Sequence, residues 1–142
     1  MSQHVIVFPV LVQVLLTFAV LIAMGRARRS SIRERRAAPD DVALSGDKVW
    51  NDEARKVSNN YKNQFELPVL FYAVCAFALI MRMVDIWLLV LAWLFVVSRI
   101  VHAGIHVGPN KVRWRGAAFL VGAVVLMAMW LTIGLRALTA GA

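Results

Sequence analysis

Nine side chains of this sequence have the types and spacing to do chemistry together. Asn59, Lys62, Asn63 and Glu66 lie in the polar stretch Ser58–Pro68, which runs directly into an apolar segment. Arg99, His102 and His106 are spaced i, i+3, i+7, so one helix face carries all three. Arg113 and Arg115 follow in a short basic segment. The set holds a single carboxylate among many cations and amides, which is the composition of an anion-binding pocket. A small polyanionic ligand suits it, with Glu66 accepting a hydrogen bond from an amine or amide of that ligand. An arginine beside a helix N-terminus also favours a thiolate over a thiol. Such a pocket can therefore activate a thiol that the protein does not itself supply.

Two other readings use the same residues. His102 and His106, four apart on a helix, can share a metal ion with Glu66 as a third ligand. The surrounding cations and the lack of a nearby cysteine count against that. A haem held by both histidines fails geometrically, since two residues on one helix face cannot take opposite axial positions. The second reading is structural: Glu66 pairs with Arg99, and the histidines hydrogen-bond between helices. In hydrocarbon an ionised carboxylate is costly without partners, so Glu66 calls for one in every reading.

The elements that position these groups are membrane helices. The chain has 142 residues, is 61% hydrophobic and has a mean hydropathy of +0.69. Four apolar stretches, Val5–Met24, Leu67–Val84, Ile86–Val107 and Ala117–Leu138, each approach the ~20 residues that cross ~30 Å of hydrocarbon. The second and third are joined by a tight turn at Arg82-Met83-Val84-Asp85, which makes them antiparallel neighbours. The expected fold is all-α, one membrane domain over 1–142 built as a four-helix bundle. The first stretch is read as a span and not a cleaved signal, because its apolar run is long and no Lys or Arg precedes it. If the second helix begins near Trp50 and continues to Val84, then Asp52, Lys56, Asn59, Asn63 and Glu66 form one polar stripe.

Ten of the 16 Lys and Arg residues lie between Arg26 and Lys62, and three more lie between the third and fourth spans. By the positive-inside rule these two loops are cytoplasmic and both termini are outside. The charge of +8 thus reflects topology and contact with lipid head groups. Nucleic-acid binding is not expected, because the charges follow the spans and no reader fold is present. The first loop begins with the basic run at Arg26, and turns are expected at Pro39-Asp40-Asp41 and Ser45-Gly46-Asp47. Gln13, deep in the first span, must face another helix. Gly104-x-x-x-Gly108 marks a possible close helix approach. Cys75 is a lone cysteine and reads as a small hydrophobe.

These residues resemble the MAPEG family, the membrane-associated proteins in eicosanoid and glutathione metabolism, in a bacterial branch. The likeness covers nearly the whole chain: four spans, a long basic first loop, a tight second turn and a basic third loop. Asn63-x-x-Glu66 with Pro68 close behind is similar to the family's Asn-x-x-Glu, which contacts glutathione. Arg99-x-x-His102 resembles its Arg-x-x-His, and Arg115 resembles the arginine that activates the thiol. The resemblance implies a homotrimer in the bacterial inner membrane, with glutathione between subunits near the cytoplasmic face and hydrophobic small molecules arriving from the bilayer. It implies Arg115 as the catalytic residue, with Lys62, Asn63, Glu66, Arg99 and His102 holding glutathione; Asn59, His106 and Arg113, from the same polar cluster, complete the expected binding site, and no metal is expected. Where many members have Arg-Ala-His before the Asn, this chain has Asn60-Tyr61-Lys62. Gly116 and Phe119 stand where the prostaglandin synthase branch has Ser and Tyr, and His106 replaces a common Tyr. The competing expectation is a non-catalytic structural, regulatory or lipid-binding subunit.

Overall fold

The computed structural model describes residues 2–35 and 50–140. A 3-10 turn, Gln3–Ile6, leads into α1 (Val7–Arg35). Pro9 falls in the first turn of α1, where its missing N–H has no helical partner to lose. The basic run from Arg26 does not open a loop as expected. It continues α1 to Arg35, because Ala, Arg and Glu are good helix formers. The turns expected at Pro39–Asp41 and Ser45–Asp47 lie outside the described residues.

The second span is divided. Helix α2 (Asp52–Asn63) starts at Asn51, whose side chain accepts from the Ala54 N–H at 2.9 Å. Asp52 and Glu53 in its first turn and Lys62 in its last suit the helix dipole. Helix α3 (Leu67–Ile80) follows after a break at Gln64–Glu66. The expected continuous helix from Trp50 to Val84 is therefore interrupted, and the cause is Pro68. In a continuous helix its ring would meet the Gln64 carbonyl, and it has no N–H to donate there. Glu66 takes φ −94° and ψ −103° at the break and leaves the polar stripe of α2.

Arg82, at φ 54°, turns the chain into α4 (Ile86–Val107). Asp85 caps that helix by accepting from Leu88 N at 2.8 Å. A second left-handed residue, Asn110 at φ 46°, precedes α5 (Val112–Ala140). Among the described residues four helical runs are long and apolar enough to cross a membrane: Gln3–Glu34, Asp52–Ile80, Ile86–Val107 and Val112–Thr139. The fold is all-helical.

The core lies where α3, α4 and α5 meet. Phe71 stacks on Phe95 with ring centroids 4.5 Å apart, and Val74, Ala78, Leu88, Ala92 and Met129 are fully buried around them. In a bilayer such contacts act through close packing, since lipid tails are as apolar as the side chains. Helices α4 and α5 approach closely at Gly122, where an added Cβ would sit 2.7 Å from Ser98 Oγ. Gly104 has open space around it, so the approach expected at Gly104/Gly108 falls instead at Gly122, between α4 and α5.

Buried amides tie α1, α2 and α4 together at the break. Gln13 Nε2 donates to Gln64 Oε1 at 3.0 Å, Gln64 Nε2 donates to the Asn60 carbonyl at 3.4 Å, and Asn60 Nδ2 donates to the Ala103 carbonyl at 3.4 Å. All three side chains are buried. Gln13 thus meets the helix partner that its depth requires, and Gln64 holds the end of α2 in place.

Candidate functional site

The nine residues gather at the basic end of the bundle, where the C-terminus of α4, the C-terminus of α2 and the first turns of α5 converge. The α4 stripe is real and faces inward. Arg99, His102 and His106 are 0%, 2% and 3% exposed. Each meets a different part of the neighbouring helices.

Arg99 donates Nη2 to the Asn63 carbonyl at 3.3 Å. Its Nε and Nη1 are buried with no hydrogen-bond partner among the described residues. Its guanidinium carbon lies 5.6 Å from the centre of the Phe119 ring, within cation–π reach. Glu66 acts on Arg99 through space but does not bond to it. The expected Glu66–Arg99 pair is therefore not formed. The break at Gln64–Glu66 leaves Glu66 exposed, while Asn63 on the last turn of α2 takes the nearer place.

His102 bridges two helices. Its Nδ1 lies 3.1 Å from the Arg115 carbonyl and its Nε2 lies 3.3 Å from Asn63 Nδ2. A carbonyl can only accept, so Nδ1 carries the proton; Nε2 then accepts from the Asn63 amide, and the ring is neutral. The same logic applies to His106. Arg115 Nη1 donates to His106 Nε2 at 3.4 Å and to Asn110 Oδ1 at 2.8 Å. The proton of His106 therefore sits on Nδ1, which is buried without a partner among the described residues. Both histidines hold a tautomer set by an α5 arginine, one by its carbonyl and one by its side chain.

Two cavities open at this end, and Arg115 lines both. The inner one, about 200 Å³, is lined by Asn63, His102, Val112, Arg115, Gly116 and Phe119. The outer one, about 360 Å³, is lined by Asp52, Arg55, Lys56, Asn59, His106, Asn110 and Arg115. Of the sequence-predicted residues, Asn59, Asn63, His102, His106 and Arg115 line one cavity or the other. Arg99 lies behind Phe119. Lys62 and Glu66 are exposed beside the site, and Arg113 is exposed on α5 and lines neither cavity. The shared arginine is thus Arg115, not Arg113.

His102, His106 and Glu66 do not converge as ligands. Among the described residues no group of three or more His, Cys, Asp or Glu side chains is placed to hold a metal ion. Sequence reasoning put Asp52 and Lys56 on the polar stripe without counting them in the site, and it missed Arg55 and Asn110. The signal for Arg55 was present, because it lies in the first turn of the helix that ends in Asn63. Asn110 carried one as well, since Gly108-Pro109-Asn110 is a turn and Asn tolerates the left-handed region.

The site is basic, partly buried and built at the mouth of a membrane bundle. It offers idle N–H donors and one arginine shared between two chambers. No curated protein and no solved structure matches the chain. The MAPEG family model matches residues 6–135, nearly the whole chain. This chain belongs to the MAPEG family, a membrane family broadly associated with glutathione.

Proposed function

We propose that the chain binds glutathione and acts as a glutathione transferase or peroxidase on hydrophobic electrophiles that reach it from the bilayer. It would do so as a homotrimer in the bacterial inner membrane, with the basic end cytoplasmic and both termini outside. The observation that carries the reading is Arg99. Its guanidinium is fully buried, two of its nitrogens have no hydrogen-bond partner among the described residues, and Glu66 acts on it only through space. Leaving a buried charge unanswered is expensive, so a partner from outside the chain is the simplest account. A tripeptide with two carboxylates supplies one.

In this reading Arg99 receives a ligand carboxylate. Asn63, kept in place by His102, contacts the peptide amides, and Lys62 and Glu66 sit at its rim. Asn59, His106 and Arg113 complete the polar surround. Bound glutathione supplies a thiol, and Arg115 at the start of α5 favours its thiolate by charge, together with the helix dipole. The effect is on the order of one to a few pKa units, as for activated cysteines. An apolar groove of about 670 Å³ between α3 and α5 starts at Leu67, next to Glu66, and reaches Leu138. It supports an apolar second substrate that approaches along the bilayer.

One observation favours a non-catalytic subunit instead. Gly116 and Phe119 line the inner cavity and bring no hydroxyl to it. Calorimetry of glutathione binding to the detergent-solubilised protein, with an ultraviolet difference spectrum for the thiolate, separates the readings. Binding with a thiolate band that disappears in Arg115→Ala supports the enzyme. Binding without the band supports a glutathione-holding subunit. No binding at millimolar glutathione overturns both in favour of a structural or lipid-binding role.

A further inference from the structure

At the end of the bundle away from the basic site, two cavities adjoin that have no part in the glutathione reading. The rim cavity, about 320 Å³, is lined by Ser2, Gln3, His4, Leu79 and Arg82. The deeper one, about 150 Å³, lies between α1 and α3; Ile6, Val10, Cys75 and Ala76 line it, it reaches Tyr72, and no charged side chain borders it. Leu79 lines both, so the two follow one another along α3. The path from Arg82 to Tyr72 runs for about 15 Å at 1.5 Å per residue, half of a ~30 Å hydrocarbon core. The pair thus crosses one leaflet, polar at the rim and apolar below.

Arg82 is the residue that calls for an account. It follows the last turn of α3, where the Met83 N–H reaches back to the Ala78 carbonyl at 2.9 Å, and its φ is 54°. Glycine is usual at that place in a helix end, because a Cβ strains the left-handed backbone. A cation complements the helix dipole from the last turn itself without that strain, so the dipole does not explain an arginine here. Among the described residues the Arg82 side chain has no hydrogen-bond or ion-pair partner, and Asp85, close by in sequence, is taken by Arg136. Gln3 fixes the opposite wall: its side chain bonds both the N–H and the carbonyl of Val84, which brings Ser2 and His4 to the same rim as Arg82. That rim offers a guanidinium, a hydroxyl and an imidazole, and no carboxylate lines it. We propose that the two cavities form a binding site for one anionic phospholipid. Arg82, with Ser2 and His4, holds the phosphate, and one acyl chain passes Leu79 toward Cys75. A guanidinium matches phosphate oxygens in charge and geometry. A free phosphate would leave the apolar cavity empty, and a zwitterionic head group would bring its own cation to Arg82.

The test uses phosphatidylglycerol with a diazirine on its acyl chain, photolysed with the intact protein in a neutral detergent, and the labelled residues are mapped by mass spectrometry. Label should fall on α1 and α3 around Val10 and Cys75. Unlabelled phosphatidylglycerol should compete about tenfold better than phosphatidylcholine, and glycerol 3-phosphate should not compete. Arg82→Gly suits the left-handed backbone, so without lipid it should melt no lower than the wild type. The phosphatidylglycerol needed for half-maximal labelling should rise about tenfold in it, the low end for a hydrogen bond to a charged group. Label at the basic end should not change. Equal competition by the two lipids, or labelling that Arg82→Gly leaves as it was, reduces this face to contact with bulk lipid and overturns the site. Competition by glycerol 3-phosphate makes it a site for free phosphate esters and overturns the lipid. No label around Val10 and Cys75 means that something else, such as a second copy of the chain, covers the groove, and overturns the proposal as well.

Discussion

Each end of the bundle holds an arginine close to a membrane edge, and the two are treated in opposite ways. At the end away from the basic loops, Arg136 on α5 has partners for both terminal nitrogens. Its Nη1 donates to the Met83 carbonyl at 3.0 Å and its Nη2 pairs with the Asp85 carboxylate. Asp85 in turn caps α4, and the Gln3 side chain bonds both the N–H and the carbonyl of Val84, at 3.0 and 3.3 Å. In that turn Asp85, Gln3 and the Val84 backbone all find partners within the chain. At the basic end Arg99 makes one hydrogen bond, to a backbone carbonyl, and leaves two nitrogens idle while completely buried. A satisfied network is what a structural clamp looks like. An unsatisfied buried one points to a partner outside the described residues.

The comparison breaks most sharply if the two arginines respond alike to removal. Arg99→Met replaces an unanswered buried charge with an apolar side chain of similar length. Stability should rise, by about 1–4 kcal/mol on the precedent of buried charges exchanged for hydrophobes. Glutathione affinity should fall about a hundredfold. Arg136→Met should do the reverse. It removes the partner of Asp85 and lowers stability by about 1 kcal/mol, a figure kept small because both side chains are partly solvated. Affinity should be unchanged. Thermal melts in detergent and calorimetry read both quantities. If Arg99→Met unfolds the protein, the basic end is a structural clamp too, and the contrast fails.

A smaller effect comes from pH. The hydrogen bond from Arg136, the largest influence on Asp85, holds its carboxyl below the ordinary aspartate value. The folded pKa is depressed, so the stabilisation is fully present above the unfolded value of about 3.9 and is lost as pH falls through the folded one. Melting temperature should therefore decline on acidification below about pH 4. Asp85→Asn, which keeps the ability to cap α4, should remove this part of the decline. An unchanged acid profile in Asp85→Asn would assign the acid sensitivity to another carboxylate.

Much of the basic end was legible in the sequence because helical spacing is a direct statement about faces. Arg99, His102 and His106 were placed on one stripe, and all three are buried. Asp52, Lys56, Asn59 and Asn63 also stay on one stripe, which lines the two cavities in order. That stripe ends before Glu66, because helical periodicity does not continue into a proline. Pro68 forbids the hydrogen bond that would carry the helix past Gln64, and that local rule outranks the pattern of polar residues. The helical state of Arg26–Arg35 was hidden for a different reason. Positive charge reports which side of a membrane a segment occupies but says nothing of its conformation. The idle nitrogens of Arg99 were beyond any sequence argument, since satisfaction depends on which neighbour arrives and at what distance.

The smallest predicted effect concerns how Arg99 is seated. Gly122 lies against α4 where an added Cβ would meet Ser98 Oγ at 2.7 Å, Arg99 Cδ at 3.7 Å and Ser98 Cβ at 3.8 Å. Only the first of these contacts is too short, and Ser98 Oγ is held there by its bond to the Phe95 carbonyl at 2.6 Å. Gly122→Ala should therefore destabilise by about 1 kcal/mol, the low end for overpacking. Removing the hydroxyl in Ser98→Ala should restore most of that loss, because the remaining contacts are ordinary ones. Gly134→Ala, with open space around it, serves as the control and should be close to neutral. If the double variant instead stays as unstable as Gly122→Ala alone, the strain comes through the Arg99 stem. Arg99 would then be fixed by packing as well as awaiting a ligand, and the two ends of the bundle would be more alike than their hydrogen bonds imply.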